Sequence, residues 1–338
     1  MYKYAKDIPR TELINLDTAF SNFFKKVKTK NYKKGKAGYP KFKSKKKDKQ
    51  SFRLEGEHIV PTKDKIRLPR IGWLRLKEKG YIPTENIRIL SATVSKRANK
   101  WFVSVNAEVE IPDIINTSDE IIGVDLGSKT LAVCSNGSTF ENPKALKNNL
   151  KKLRQLDKKL VRQLKLNKNG SKNREKTKIK RQKLHYHISE IRKDSIHKMA
   201  SNLMKAKPNK IVIEDLNVEG MKKNKKLSRT ISDVGMGEVK RQFEYKCKWN
   251  SIQLVLSDRF YPSTQLCSSC GYRNEGEDKL TLGIRNWTCP NCGVSHDRDF
   301  NASVNLKNYV VGSTMKVYGE DVRPQEHGAI LNEVENKQ

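Results

Sequence analysis

Four of the six cysteines occur as Cys267-x2-Cys270 and Cys289-x2-Cys292, with 18 residues between the pairs. A C-x2-C turn aims two thiolates at one point, and two such turns complete a tetrahedral zinc site. Gly271 and Gly293 directly follow the second cysteine of each pair, where a knuckle turn favours glycine. Two disulfides are the rival arrangement, one that an intracellular chain disfavours. A closed four-thiolate site leaves no open coordination position, so this zinc would hold structure together and not catalyse. Cys134 and Cys247 stand alone and are expected in the core.

The second set of reactive side chains is acidic. Asp125 ends the apolar run Ile121-Ile122-Gly123-Val124, and Glu214 ends Ile211-Val212-Ile213. Each would project from the carboxyl edge of a sheet, where α/β folds place their sites. A third group lies just past the cysteines, in His296-Asp297-Arg298-Asp299-Phe300-Asn301-Ala302-Ser303. Carboxylates brought together repel one another unless a cation neutralises them, and hard divalent ions take oxygen ligands. Two Mg²⁺ or Mn²⁺ ions about 3.5–4 Å apart would activate water and stabilise the leaving oxygen in phosphodiester cleavage.

Elements must exist to carry these groups. Leu13, Leu16, Ala19, Phe20, Phe23 and Phe24 recur at helical spacing and predict a helix over 10–27. A Lys-rich loop follows it, punctuated at Gly35, Gly38 and Pro40. From Ser51 to about Ile111 the pattern is strand-like, with Phe52/Leu54, Ile66/Leu68 and Leu74/Leu76 each straddling a basic residue. Residues 89–95 and 101–107 then read as a β-hairpin. Strand 121–125 is followed by its hairpin partner, Leu131–Cys134. Leucines 146, 150, 153, 156, 160 and 164 mark one face of a long helix, which breaks at 167–171. Leu184, Ile188, Ile191, Met199 and Leu203 mark a second, giving an antiparallel hairpin with basic outer faces. Strand 210–214, a helix around 234–249 and strand 252–256 complete an α/β pattern. Beyond the cysteines, Phe300/Val304 and Ala302/Leu306 allow a helix with Asp299 near its start, although strict alternation fits as well.

The resulting domain plan is a helix and basic loop over 1–50, a β-rich module over 51–115, and an α/β core over 116–260. That core includes the basic hairpin at 143–206; a zinc ribbon (261–295), a last motif (296–311) and a disordered tail (312–338) follow. Trp73, Trp101, Trp249 and Trp287 are expected to be structural, and His296 a capping or surface residue, with a neighbour of the site as its alternative.

The formal charge of +33 is concentrated. Residues 22–49 carry 13 lysines and one acid, Asp48, and residues 143–206 carry 21 Lys and Arg against four acids. Two focused basic surfaces fit the phosphate backbone of a nucleic acid. Mean hydropathy is −0.77, and no stretch approaches the ~20 apolar residues of a membrane helix. The expected setting is the cytoplasm, with no membrane partner.

Gly123-Val124-Asp125-Leu126-Gly127, Ile213-Glu214-Asp215-Leu216 and Asp297-Arg298-Asp299-x-Asn301-Ala302 occur in that order, with a four-cysteine ribbon before the third. The arrangement resembles the TnpB (OrfB) family of transposon-encoded proteins, relatives of type V CRISPR effectors. Leu16-Asp17-x-Ala19-Phe20-x-x-Phe23-Phe24, Pro40-Lys41-Phe42-Lys43-Ser44 and Tyr261-Pro262-Ser263-Thr264-Gln265 are similar to that family too. The resemblance implies an RNase H-like (RuvC) nuclease core with Asp125, Glu214 and Asp299 as metal-binding acids, Asp297 being the alternative to Asp299. It also implies a barrel-like β module, a partial helical recognition lobe, a guide RNA from the transposon end, and double-stranded DNA as target. Family members usually carry several dozen further residues ahead of this point, so the resemblance implies a chain that would open partway into that lobe. The alternative function is therefore an RNA-guided or RNA-binding DNA-binding protein that does not cut. Gly123-x-Asp125-x-Gly127-Ser128 also matches the phosphate loop of actin- and Hsp70-like ATPases, but no second glycine-rich loop follows it.

Overall fold

The computed structural model describes residues 5–30, 38–42, 50–110, 115–166, 171–225, 227–281 and 283–317. Most of the predicted Lys-rich loop and the centre of the 167–171 break lie outside these residues. Two compact units result, one from residues up to 113 with Lys151–His187, the other from 114–150 with 188 onward.

In the first unit, α1 (Asp7–Thr29) precedes β1 (Ser51–Glu55), β2 (Val60–Pro61), β3 (Lys65–Leu68), β4 (Gly72–Arg75), β5 (Ile87–Arg97) and β6 (Lys100–Val109). They form two three-stranded antiparallel sheets, β1-β5-β6 and β2-β3-β4. The β5–β6 turn is only Ala98-Asn99, both at positive φ, the backbone that suits the twist of a two-residue hairpin. Leu54, Ile66, Leu68, Ala92 and Val94 bury their side chains together, as alternation predicts. Two long helices, α2 (Ala145–Leu166) and α3 (Lys172–Lys205), have their distal parts in this unit. Arg181 of α3 pairs with Asp157 of α2 at 2.5 Å. α3 begins twelve residues before its first predicted seam position, Leu184.

The second unit is built on β7 (Ile121–Leu126), β8 (Thr130–Cys134), β9 (Thr139–Glu141), β10 (Lys210–Glu214) and β11 (Gln253–Ser257), in the order β11-β10-β7-β8-β9. β7, β10 and β11 run parallel, and β8 and β9 are antiparallel additions. Ile211, Val212 and Ile213 are all buried, as a parallel strand covered on both faces requires. One face turns Ile122, Val124, Ile211 and Ile213 toward the proximal part of α3 and toward α5 (Ser228–Val234) and α6 (Met236–Trp249), which follow the short α4 (Val218–Lys223). Val212, on the opposite face, packs with Leu306 and Val310 of α7 (Arg298–Val317). Between α6 and α7 lies a small ribbon with the hairpin β12 (Asn286–Thr288) and β13 (Ser295–Asp297).

The first turn of α2 is held from within this unit. Asp233, buried at the end of α5, accepts hydrogen bonds from the Leu146 and Lys147 amides at 2.9 and 3.1 Å and pairs with Arg192 at 2.9 Å. A carboxylate there satisfies amides that a helix start leaves unpaired.

Three expectations change. The chain beyond Gly312 does not start as a disordered tail, because α7 continues to Val317; residues 318–338 lie outside the described set. A glycine costs a helix about 1 kcal/mol and does not end one whose preceding turns are packed. Trp73, Trp101 and Trp249 are more than half exposed, and only Trp287 is buried. His296 is half-buried and sits beside the cysteines, its ring 5.0 Å from that of Trp287 and its Nε2 3.1 Å from Cys267 Sγ. The helical reading of the 300–306 spacing holds, because Ala302, Leu306 and Val310 fall four apart and are buried.

Candidate active site and metal centre

The sheet brings Asp125 and Glu214 side by side. β7 and β10 pair in parallel with Val212 opposite Gly123 and Ile213 opposite Val124, so the next step along both strands reaches Asp125 and Glu214. Both lie two residues beyond positions that face α7, and strand alternation returns them to that face. α7 supplies the third acid. A Cβ placed on Gly123 would lie 2.0 Å from the Ser303 carbonyl oxygen and 2.5 Å from the Lys307 amide, so only glycine permits this approach. Two residues along β7 rise about 6.6 Å, and four residues back along α7 cover about 6 Å. Asp299 therefore comes level with Asp125.

The electrostatics register this convergence. Burial, the Glu214 charge and the Asp299 charge push the Asp125 carboxyl up to about 8, against partial relief from Arg298 and Arg285. Arg285 pairs closely with Asp299 Oδ2, and Arg298, itself buried, lies 3.5 Å from Oδ1. The charges of Glu214 and Asp299 thus both act on Asp125, and carboxylates brought together in this way are the kind of oxygen donors that hard divalent cations take.

Neighbouring acids are otherwise engaged. Asp215 accepts from Arg259 at 2.6 Å and Lys240 at 3.1 Å, and these bonds hold its carboxyl below the usual range. Asp297 caps α7, its Oδ1 accepting the Phe300 amide at 2.8 Å. Glu214 accepts a 2.5 Å hydrogen bond from Ser263 Oγ. Ser263 sits in a quoted motif but nothing in its spacing signalled this contact, and Arg285 carried no sequence signal at all.

The four cysteines also converge. All four sulfurs lie within 4.8 Å of one another, with Cys267–Cys292 at 3.7 Å and Cys270–Cys289 at 3.6 Å. Zinc with 2.3 Å bonds to four sulfurs has edges of about 3.8 Å, so the set fits one tetrahedral ion. The cysteines are unbonded thiols, which removes the disulfide alternative. The two turns match: the Gly271 amide donates to Cys267 O and the Gly293 amide to Cys289 O, with the glycines at φ +74° and +70°. His296 Nε2 lies 3.1 Å from Cys267 Sγ, one residue before Asp297. Cys134 and Cys247 are buried, and burial pushes each thiol up to about 12.

Known proteins resemble this chain. A family described as "Probable transposase" (OrfB) matches residues 104–225, and one described as "Cas12f1-like, TNB domain" matches residues 237–306. A protein of Streptomyces pristinaespiralis named as a putative RNA-guided DNA endonuclease is 35% identical over 320 residues, covering 93% of this chain and 73% of that relative. InsQ of Escherichia coli, named likewise, is 30% identical over 341 residues, covering 95% and 79%. The protein of a solved Cas12f1–sgRNA–target DNA complex shares the fold, with TM-score 0.53 and 18% identity over 86% of this chain and 69% of that one. The chain belongs to the TnpB (OrfB) family. Among the described residues, no helix is long and apolar enough to cross a membrane.

Proposed function

We propose that this protein is an RNA-guided, divalent-metal-dependent DNA endonuclease working in the cytoplasm. Its nuclease core is of the RNase H-like (RuvC) type, with Asp125, Glu214 and Asp299 as metal-binding acids. The observation that carries the reading is the convergence of three acids distant in the chain, where burial first, and then the Glu214 and Asp299 charges, push the Asp125 carboxyl up to about 8. Mg²⁺ or Mn²⁺ would supply an activated water and charge neutralisation at the leaving oxygen. The chain's part is to hold the oxygen donors. With a cation held there, Asp125 would give up its proton, because the positive charge would offset both its burial and the repulsion from Glu214 and Asp299. Arg285 and Arg298 add positive charge at the same place, which offsets the acids' repulsion of a phosphodiester. The four cysteines hold a structural zinc that closes the ribbon and takes no part in hydrolysis.

The guide and target follow from the relatives' names and from charge. Each acid of the 143–206 hairpin is ion-paired with a cation of the hairpin itself: Asp157 with Arg181, Glu175 with Lys178, Glu190 with Lys193 and Asp194 with Lys198. The surplus of Lys and Arg stays available to a polyanion, here a guide RNA paired with its DNA target. The test is to purify the full chain with its copurifying RNA and add Mg²⁺ and matched double-stranded DNA. Wild type should cut, and Asp125→Ala should bind the DNA without cutting. A wild-type complex that binds and never cuts would instead mark an RNA-guided binding protein.

A further inference from the structure

We propose that Ser263 is a positioning residue: it fixes the Glu214 carboxylate so that one oxygen is anchored to the protein and the other is offered to a divalent cation. The inference rests on the nuclease reading above and adds a residue to its machinery. A glutamate at a strand end swings about three torsions, so strand geometry alone sets the place of its Cα but not of its oxygens. Ser263 Oγ removes that freedom, donating to Glu214 Oε1 at 2.5 Å, within the range of short charge-assisted hydrogen bonds.

The donor is itself immobilised. Ser263 is only 2% exposed, and its carbonyl oxygen accepts from Asn305 Nδ2 at 2.7 Å. The same amide donates to Leu266 O at 2.7 Å, and Tyr261 Oη donates to the Asn305 carbonyl at 3.1 Å. Asn301, one turn earlier on α7, donates to Leu266 O at 2.6 Å and accepts from the Ser268 amide at 2.8 Å. Asp299 lies on that same helix, two residues before Asn301. The segment 261–268 is thus clamped to the helix that carries one acid while its serine holds another. The spacing of Glu214 and Asp299 is set through this clamp, which continues directly into the first cysteine turn. Partners that orient a metal ligand typically change metal affinity ten- to a hundredfold when removed.

The experiment compares full-length wild type with Ser263→Ala, Ser263→Thr and Ser263→Val, measuring Mn²⁺ binding by the electron paramagnetic resonance of free Mn²⁺. The Mn²⁺ concentration for half-maximal cleavage and the Tm are measured alongside. Ser257→Ala is the control: Ser257 pairs with Glu214 across β10 and β11, and its buried Oγ has no hydrogen-bond partner. Ser263→Ala should raise the Mn²⁺ dissociation constant and the half-maximal concentration about tenfold or more, with cleavage largely recovered at saturating Mn²⁺. Threonine should restore affinity, and valine, of the same shape without the hydroxyl, should not. Ser257→Ala should bind as wild type. Equal Mn²⁺ affinity in the Thr and Val variants, or a wild-type affinity in Ser263→Ala, overturns the inference. Glu214→Gln and Asp125→Asn separate it from the reading beneath it, because wild-type Mn²⁺ affinity in both would remove the metal site itself.

Discussion

Replacing Asp125 by asparagine should make the protein more stable in the absence of divalent ions while abolishing cleavage. The wild-type carboxyl has its midpoint moved from 3.8 to about 8 by burial first, then by Glu214 and Asp299. The folded state therefore binds this proton more tightly than the unfolded chain does. Stability tied to it is complete below pH 3.8, is lost as pH rises, and stops falling above pH 8. At pH 7 about three pH units of that span have been crossed, each worth 1.36 kcal/mol, so the penalty is about 4 kcal/mol. Asparagine has nearly the same shape and carries no charge at any of these pH values. The assay is urea unfolding of zinc-loaded protein, free of Mg²⁺, at pH 4 to 9. The two proteins should unfold alike near pH 4, diverge steadily to pH 8 and run parallel above it. Adding Mg²⁺ at a hundred times its dissociation constant should return about 2.7 kcal/mol to the wild type and little to the variant. A stability difference that does not change with pH, or a variant less stable at pH 8 than at pH 4 relative to wild type, would refute the reasoning.

Other perturbations act on the scaffold. Gly123→Ala drives a methyl group into the backbone of α7 and should cost about 3 kcal/mol or more in denaturant unfolding, with loss of cleavage as Asp299 is displaced. Asp233→Ala removes the buried carboxylate shared by half-buried Arg192 and two α2 amides, and should cost about 1–3 kcal/mol by the same measurement. Asp297→Ala removes only a helix cap, so stability should fall by about 1 kcal/mol with cleavage retained, whereas Asp299→Asn should abolish cleavage. Stripping the metal with a chelator should release one zinc per chain and expose buried Trp287, read as a fluorescence change that zinc reverses and Cys267→Ser abolishes.

Much of the site was open to reading because its signals are local. The cysteine spacing follows from the reach of a knuckle turn, so four thiolates around one ion could be expected before any fold was known. Asp125 and Glu214 stood out because a buried strand that ends in an acid is itself a pattern. The β5–β6 hairpin and the two long helices followed from periodicities of two and 3.6, which belong to the backbone and need no partner.

Tertiary structure decided everything that depends on which surfaces meet. The spacing at 300–306 permits strand or helix, and burial of Ala302, Leu306 and Val310 against the sheet selects the helix. Asp297 and Asp299 are interchangeable as letters; the helix start turns one into a cap and brings the other level with Asp125. Glu214 and Asp215 are separated likewise, one beside Asp125 and Ser263, the other neutralised by Arg259 and Lys240. Gly123 read as part of a strand, and only the approach of α7 shows that a side chain there has no room. The physical reason is common to all four cases. Propensity and spacing act over a few residues, whereas charge repulsion, close packing and cross-chain hydrogen bonds exist only once remote segments touch.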